Sequence, residues 1–249
     1  MNEQLQKIQQ KLEQLKALDI DCTLFGANRH QYRLNPCLSL DVIEQFESSY
    51  QIQLPKDYVA FLTQLGNGGA GPYYGIEPFE KVLFTDLDYP NNDNLLHPNL
   101  AFPHTQPWNE FFEPTCDEED EEEYERQYSE FHQHQMDGVL AICNYGCGVS
   151  LNLVVNGAEC GHIWIDDRAN DGGIYPSHEF GNTDRIPFLD WYELWLDLSL
   201  EEIAEKIHQE NMDKNQQNNS EVEQNQQDIP QQQFTQAETQ SRKAWWKFW

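Results

Sequence analysis

The sequence is poor in basic residues and has no long apolar stretch. Lys and Arg number 15 against 43 Asp and Glu in 249 residues, which gives a formal net charge of −28. Nucleic-acid phosphates are bound mainly through Lys and Arg, and anionic membrane surfaces attract cations, so we expect neither as a partner. No stretch reaches the roughly 18 apolar residues that cross a bilayer. We therefore expect neutral or basic partners and no stable membrane insertion.

A secretory signal is also missing. Residues 1–16 are polar and have no apolar central segment, which such signals require. This leads us to expect a cytoplasmic protein with reduced thiols at Cys22, Cys37, Cys116, Cys143, Cys147 and Cys160.

Motifs of catalysis and cofactor binding are absent as well. The glycine-rich stretch 66–75 lacks the Gly-Lys-Ser/Thr ending of a phosphate loop and follows a predicted helix, not a strand. Neither Gly-x-Ser-x-Gly nor His-Glu-x-x-His occurs. We therefore expect no enzyme, no catalytic residue and no cofactor.

Two groups of potential metal ligands leave other interpretations open. Cys143, Cys147 and Cys160 with His162 have the donor types of a Cys3His zinc site, although buried cysteines more often act as small apolar residues. His132 and His134 stand beside a run of acids, but that run lacks the pattern of an EF-hand loop. Our expectation is that no residue binds a metal.

One group of acidic residues and histidines also has two interpretations, as acid–base machinery or as a chance grouping. Asp166 and Asp167 could act with His162 or His178, yet nothing marks a nucleophile. Acidic residues are so common in this chain that a chance grouping is the simpler interpretation.

The negative charge is concentrated in one part of the chain. Residues 35–200 carry 30 acidic and five basic groups, a net charge of −25. Within an irregular, acid-rich insertion at about 86–137, eight of the nine residues 117–125 are acidic. Their repulsion favours an extended, solvated loop. We predict that this loop contacts the partner through Asp117, Glu118, Glu119, Asp120, Glu121, Glu122, Glu123 and Glu125.

The first third of the chain shows helical patterns. An apolar stripe at Leu5, Ile8, Leu12 and Leu15 predicts an amphipathic helix that lies on the main domain. Ser39 suggests an N-cap for a short helix, and Pro55 begins another that ends at about residue 66. Residues 76–84 look like a strand with its approach.

The next part predicts a β-meander. A short apolar run at 139–143 and alternating residues at 149–155 indicate strands. Asn156-Gly157 supplies hairpin turn residues, and 161–166 forms the returning strand, with Trp164 as core or rim. Helical spacing follows over 188–198, and Ser199 with Glu202 suggests a capping box for a last helix through Ile207.

The tail has a different composition. Gln and Asn make up 16 of the 32 residues 209–240, so we predict disorder there. Three roles are open for the end of the chain: contact with a lipid interface, docking into a partner's groove, or none. The residues concerned are Trp245, Trp246, Phe248 and Trp249.

We therefore divide the chain into an N-terminal helix and linker at 1–34, an α+β domain at 35–208, and a disordered tail at 209–249. The domain is predicted to have a mostly antiparallel sheet packed with helices.

Several stretches together resemble one known family. They are 54–62 running into the glycine-rich loop, Gly146-Cys147-Gly148, 153–157, 161–164 and 188–192. This combination resembles the SUKH superfamily, which includes yeast cell-wall synthesis regulators and bacterial immunity proteins, over about residues 36–198. The matching residues, expected to be mainly structural, are Pro55, Tyr58, Gly66, Asn67, Gly68, Gly69, Gly71, Pro72, Tyr73, Tyr74, Gly75, Gly146, Cys147, Gly148, Gly157, Gly161, Trp164 and Trp191.

The resemblance implies an α+β fold, no catalysis and a role in binding other proteins. Bacterial members typically neutralise toxins of polymorphic or contact-dependent systems, often nucleases. We therefore expect an immunity protein with a basic toxin as partner. The alternative is a regulatory or scaffold module that recruits partners through its tail.

Overall fold

The computed structural model describes residues 3–92, 94–117 and 119–227. In this part of the chain there are six α-helices and four β-strands, so the α+β prediction is confirmed. The chain divides into two units between Ile203 and Ala204. The first unit carries the sheet and its core.

The helices are α1 (Glu3–Leu18), α2 (Ala27–His30), α3 (Leu40–Tyr50), α4 (Lys56–Gln64), α5 (Glu121–His132) and α6 (Phe188–Gln227). The strands are β1 (Val139–Gly146), β2 (Val149–Val154), β3 (Ile163–Asp167) and β4 (Gly173–Pro176). In the described part, no helix combines the length and apolarity needed to cross a membrane.

The strands form an antiparallel meander in the order β1-β2-β3-β4. The strands predicted for the meander are present, and Asn156-Gly157 lies in the connection between the antiparallel strands β2 and β3, which at 155–162 is longer than a two-residue turn. Asn156 is used differently: its carbonyl accepts a hydrogen bond from the backbone N–H of Phe102 at 2.9 Å. These turn residues therefore hold the insertion against the sheet.

Each face of the sheet is covered. Alternate strand residues point to opposite faces, and one set packs into the main core beneath the helices: Leu140, Ile142, Leu151, Leu153, Ile163 and Ile165. The other set, Val139, Ala141, Val154, Trp164 and Ile174, forms a second core with Leu96, Phe102 and Met136 of the insertion. Trp164 is fully buried, which resolves its position as core.

The insertion at 86–137 is a covering layer of the sheet. Its described residues before Glu121 are irregular, as predicted, but Glu121–His132 form α5. The acid run was expected to be an extended loop, but it leads into α5, whose N-cap is Asp120. Acidic side chains are favourable in the first turn of a helix because they face its positive dipole end, and this offsets their mutual repulsion.

Helix α1 is part of the main core, as its stripe predicted. Leu5, Ile8, Leu12 and Leu15 are all buried. Lys11 also reaches α6, where its Nζ lies 2.7 Å from Oε1 of Glu193 and 2.7 Å from Oδ1 of Asp197.

The predicted strand at 76–84 is not formed. Ile76 makes isolated bridges to Gly69 and Cys143, and a short 3-10 turn follows at Phe79–Lys81. Pro78 immediately precedes this turn, and proline lacks the N–H that a strand ladder needs.

Helix α6 continues past the predicted break at Ser199, so the capping box is not used. Leu196, Leu200 and Ile203 keep the apolar stripe in register with the core, and a serine inside a helix costs little. Residues 209–227, predicted to be disordered, continue α6. The rest of the predicted tail, including Trp245, Trp246, Phe248 and Trp249, lies outside the described residues.

Candidate functional site

The glycine-rich loop 66–75 is a tight structural element. Gly69 has φ +106°, and a Cβ there would lie 2.3 Å from the carbonyl oxygen of Arg33. Asn67 is buried and its Oδ1 accepts a hydrogen bond from the backbone N–H of Phe79 at 2.8 Å. The loop thereby holds Pro72, Tyr73 and the residues after them in one defined place.

This placement builds an aromatic surface. The Tyr73 and Tyr145 rings have centroids 4.0 Å apart, and Phe25 lies 5.5 Å from Tyr74. Phe25 is 66% exposed and Tyr145 41%. A cleft of about 660 Å³, called the aromatic cleft below, is lined by Phe25, Tyr74, Tyr145, Tyr175, Asp167 and Glu179.

The cleft combines aromatic rings with carboxylates. Arg29 already stacks over Tyr74 from 5.3 Å and lies 3.9 Å from buried Glu77. Burial raises the pKa of Glu77, and Lys81 and Arg29 partly oppose this. Rings and carboxylates together suit an incoming Lys or Arg side chain, which gains cation–π attraction and charge pairing.

The acidic start of α5 is a second exposed surface. Asp117, Glu119, Asp120, Glu121, Glu122 and Glu125 are exposed; we call these six residues the acidic face. Glu123 differs because Arg126 holds it at 2.6 Å. Hydrogen bonds from Arg126 and then Gln127 lower the pKa of Glu123 to about 2. Of the predicted partner-binding residues, Glu118 lies outside the described residues.

Aromatic packing fixes the orientation of α5. Tyr124 and Tyr128 both lie 5.4 Å from Phe112, and Phe131 lies 5.5 Å from Trp108. With its aromatic side packed in this way, α5 keeps its carboxylates in solvent.

The remaining motif residues are placed in the scaffold. Pro55 precedes α4 as its N-cap, and Tyr58 is fully buried. Buried Trp191 donates from Nε1 to Oε1 of Glu179 at 2.8 Å. The backbone has a positive φ at several of these motif residues: Gly68, Gly75, Gly146, Cys147, Gly148, Gly157 and Gly161. At Gly66 and Gly71 a side chain would instead collide with neighbouring residues.

The structure does not assemble the Cys3His set. All six cysteines are free; Cys143 is buried, and Cys147 and Cys160 are exposed. The Cys143 thiol contacts the carbonyl oxygen of Pro72 at 3.2 Å, and burial raises its pKa. Within the described residues, these cysteines and His162 form no group that could hold a metal ion.

Of the acid–base constellation, Asp167 and His178 both line the aromatic cleft, but within the described residues hydrogen bonds do not join the predicted groups. Arg168 donates to Asp166 from Nε and Nη2, at 2.8 and 2.7 Å. His162 lies 3.2 Å from Glu159. In the described part of the chain, no hydrogen bond joins either histidine of the predicted constellation to Asp166 or Asp167.

Sequence reasoning missed two groupings. Phe25 and Tyr145 are far apart in sequence and belong to no periodic pattern, so only the fold brings them into one cleft. His134 was paired with His132, whereas the structure groups it with His97 and Asp137. An acidic residue two positions before β1, Asp137, was the available signal.

The comparisons with known proteins agree with this architecture. The model of the SMI1 / KNR4 family (SUKH-1) matches residues 37–178. A search of curated proteins and a search of solved structures found no match. The matched span covers more than half of the chain and contains the glycine-rich loop, the insertion and the whole sheet, so the chain belongs to the SMI1 / KNR4 family (SUKH-1).

Proposed function

We propose that this protein is an immunity protein that binds and neutralises a basic bacterial toxin, with a nuclease as the candidate class. Membership of a generally non-catalytic family is consistent with a protein-interaction or immunity-type domain. The observation that carries the choice of partner is the acidic face, six exposed carboxylates of which three precede or cap α5 and three lie in its first five residues.

Charge complementarity gives the physical reason. A nuclease presents Lys and Arg to its substrate, and an acidic protein that covers this surface blocks the substrate's site. Opposite charge also raises association rates above the roughly 10⁵–10⁶ M⁻¹s⁻¹ of neutral partners. Rapid capture suits a protein that must act before a toxin damages the cell.

The aromatic cleft supplies a candidate anchor for the same partner. Most interface free energy comes from a few aromatic or Arg contacts in packed pockets. We assign the acidic face to attraction and orientation, and the aromatic cleft to short-range contact with a Lys or Arg of the toxin.

Co-expression tests this proposal. The chain should restore growth to cells that produce the secreted toxin encoded next to its gene. Phe25→Ser combined with Tyr145→Ser should weaken protection, whereas Phe111→Ser, which removes another exposed ring (75% exposed), should not. Unchanged growth arrest with the wild-type chain would reject the immunity role.

The scaffold role is the second proposal, and it rests on the aromatic-basic end of the sequence. Removal of residues 228–249 separates the two roles. If neutralisation persists without these residues, the tail is accessory; if every partner is lost, recruitment through the tail gains support.

A further inference from the structure

A compact cluster of two histidines and one carboxylate lies at the base of the insertion. His97 Nδ1 is 3.2 Å from Oδ1 of Asp137, and His134 Nδ1 is 2.8 Å from Oδ2 of the same side chain. One potential ligand atom from each residue lies within 4.8 Å of the others. Each oxygen of one carboxylate therefore faces a different imidazole.

Asp137 is the unusual member of this cluster. Its side chain is 8% exposed, and the imidazoles of His97 and His134 are the charged or chargeable groups found against it. A buried carboxylate is costly unless it is paired or binds a metal. Both imidazoles lie within hydrogen-bond distance of its oxygens, and a divalent cation held by the three side chains would neutralise its charge.

We propose that His97, His134 and Asp137 bind a divalent transition metal of the zinc class. At Zn–N and Zn–O distances of about 2.0–2.1 Å, tetrahedral ligand atoms lie about 3.3 Å apart. The three ligand atoms already lie within 4.8 Å of one another, and rotation of the two exposed imidazoles would close the remaining gap. Imidazole nitrogen selects zinc, copper or nickel over calcium and magnesium. Three protein ligands leave a fourth position for water or for a side chain of a partner.

The location gives the site a structural role. His97 and Asp137 stand at opposite ends of a 40-residue stretch of the insertion, and the N–H of Gly138 donates to the carbonyl of His97 at 3.0 Å. Their neighbours Leu96 and Met136 are both buried in the second core. A bound ion would join the two ends of the layer that covers the sheet.

The exposure of the histidines makes the site testable without disturbing the core. His97 and His134 side chains are 52% and 59% exposed, so His97→Gln and His134→Gln should fold normally. Full-length protein stripped with a chelator should bind one equivalent of Zn²⁺ in calorimetry. Each variant should bind more than about 100-fold more weakly, since loss of even an outer partner costs about 10–100-fold.

Two control measurements test whether other side chains bind the zinc ion. His178→Gln removes a different exposed imidazole and should bind zinc as the wild type does. Co²⁺ in place of zinc should give a spectrum without thiolate charge transfer. Zinc binding that is unchanged in His97→Gln and His134→Gln would overturn the proposal, as would a cobalt spectrum that shows cysteine ligation.

Discussion

At the residue scale, single buried polar groups hold the long loops of this protein. His30 is buried between Tyr32 and Trp195, with ring centroids at 5.3 and 6.2 Å. Its Nδ1 accepts a hydrogen bond from the N–H of Tyr32 at 3.1 Å. Burial lowers the pKa of His30 to about 4, although a hydrogen bond to the backbone of Gly71 partly opposes this.

This histidine predicts a pH dependence of stability. An unfolded histidine titrates near pH 6.5. Between about pH 6.5 and pH 4, His30 is therefore protonated in the unfolded state and neutral in the folded state. Its contribution is therefore complete above pH 6.5 and declines as pH falls, by up to about 1.4 kcal/mol per pH unit for one proton. When the free energy of unfolding is measured with denaturant at several pH values across this range, it should fall less steeply with decreasing pH in His30→Gln than in the wild type. His178→Gln, at an exposed site, should leave the pH dependence of the unfolding free energy as it is in the wild type.

Asn67 gives a second prediction at this scale. Besides accepting from Phe79, its Nδ2 donates to Oε2 of Glu80 at 3.1 Å. Asn67→Ala leaves the buried N–H of Phe79 without its acceptor, which should cost about 1–3 kcal/mol of unfolding free energy. Chemical denaturation measures this loss. Exposed Asn99→Ala should change stability by less than about 0.5 kcal/mol, and equal effects would contradict the role given to Asn67.

At the element scale, α1 belongs to the folded domain although it lies outside the family match. Ile8 is fully buried in the main core, whereas Leu18 at the end of the helix is 40% exposed. Ile8→Ala should lower the free energy of unfolding by about 2–5 kcal/mol, and Leu18→Ala by much less. A small loss for Ile8→Ala would mean that α1 is a dispensable addition.

Elements with a strong period were predictable from the sequence. The stripe of α1, the alternation in β2 and β3, and the helix from Phe188 all depend on local spacing, and the structure confirms them. Helix α5 was not predicted because repulsion among its acidic residues favours an extended chain. The favourable helix dipole and the contacts with Phe112 outweigh this repulsion in the folded protein. The break at Ser199 was predicted from a capping motif, which the continuing core contacts of Leu200 and Ile203 override.

At the scale of the whole molecule, the sheet lies between a helical layer and an acidic insertion. The two-sided sheet was foreseeable from the alternation of Ile163, Trp164 and Ile165, but what covers the Trp164 face was not. The acidic face was recognised in sequence as a charge run, and the structure shows that it is exposed and that its second half lies in α5. The aromatic cleft and the His97 cluster depend on contacts between distant segments, which no local pattern encodes.

The acidic face leads to a prediction about binding kinetics. Changing Glu119, Glu121, Glu122 and Glu125 to Gln should slow association with the toxin, because steering by charge raises on-rates by about 10–1,000-fold. A control with Asp41→Asn, Glu44→Gln, Asp184→Asn and Glu201→Gln removes the same amount of charge from exposed sites elsewhere. Its association rate should stay close to that of the wild type.

The most direct test of the central claim is the association rate of this protein with a toxin that it neutralises in co-expression, measured by stopped flow at increasing salt. We predict a rate that falls steeply with salt for the wild type and the control, and a lower rate with a weaker salt dependence for the acidic-face variant. A wild-type rate that does not change with salt, or equal rates for both variants, would contradict capture of a basic partner through the acidic face.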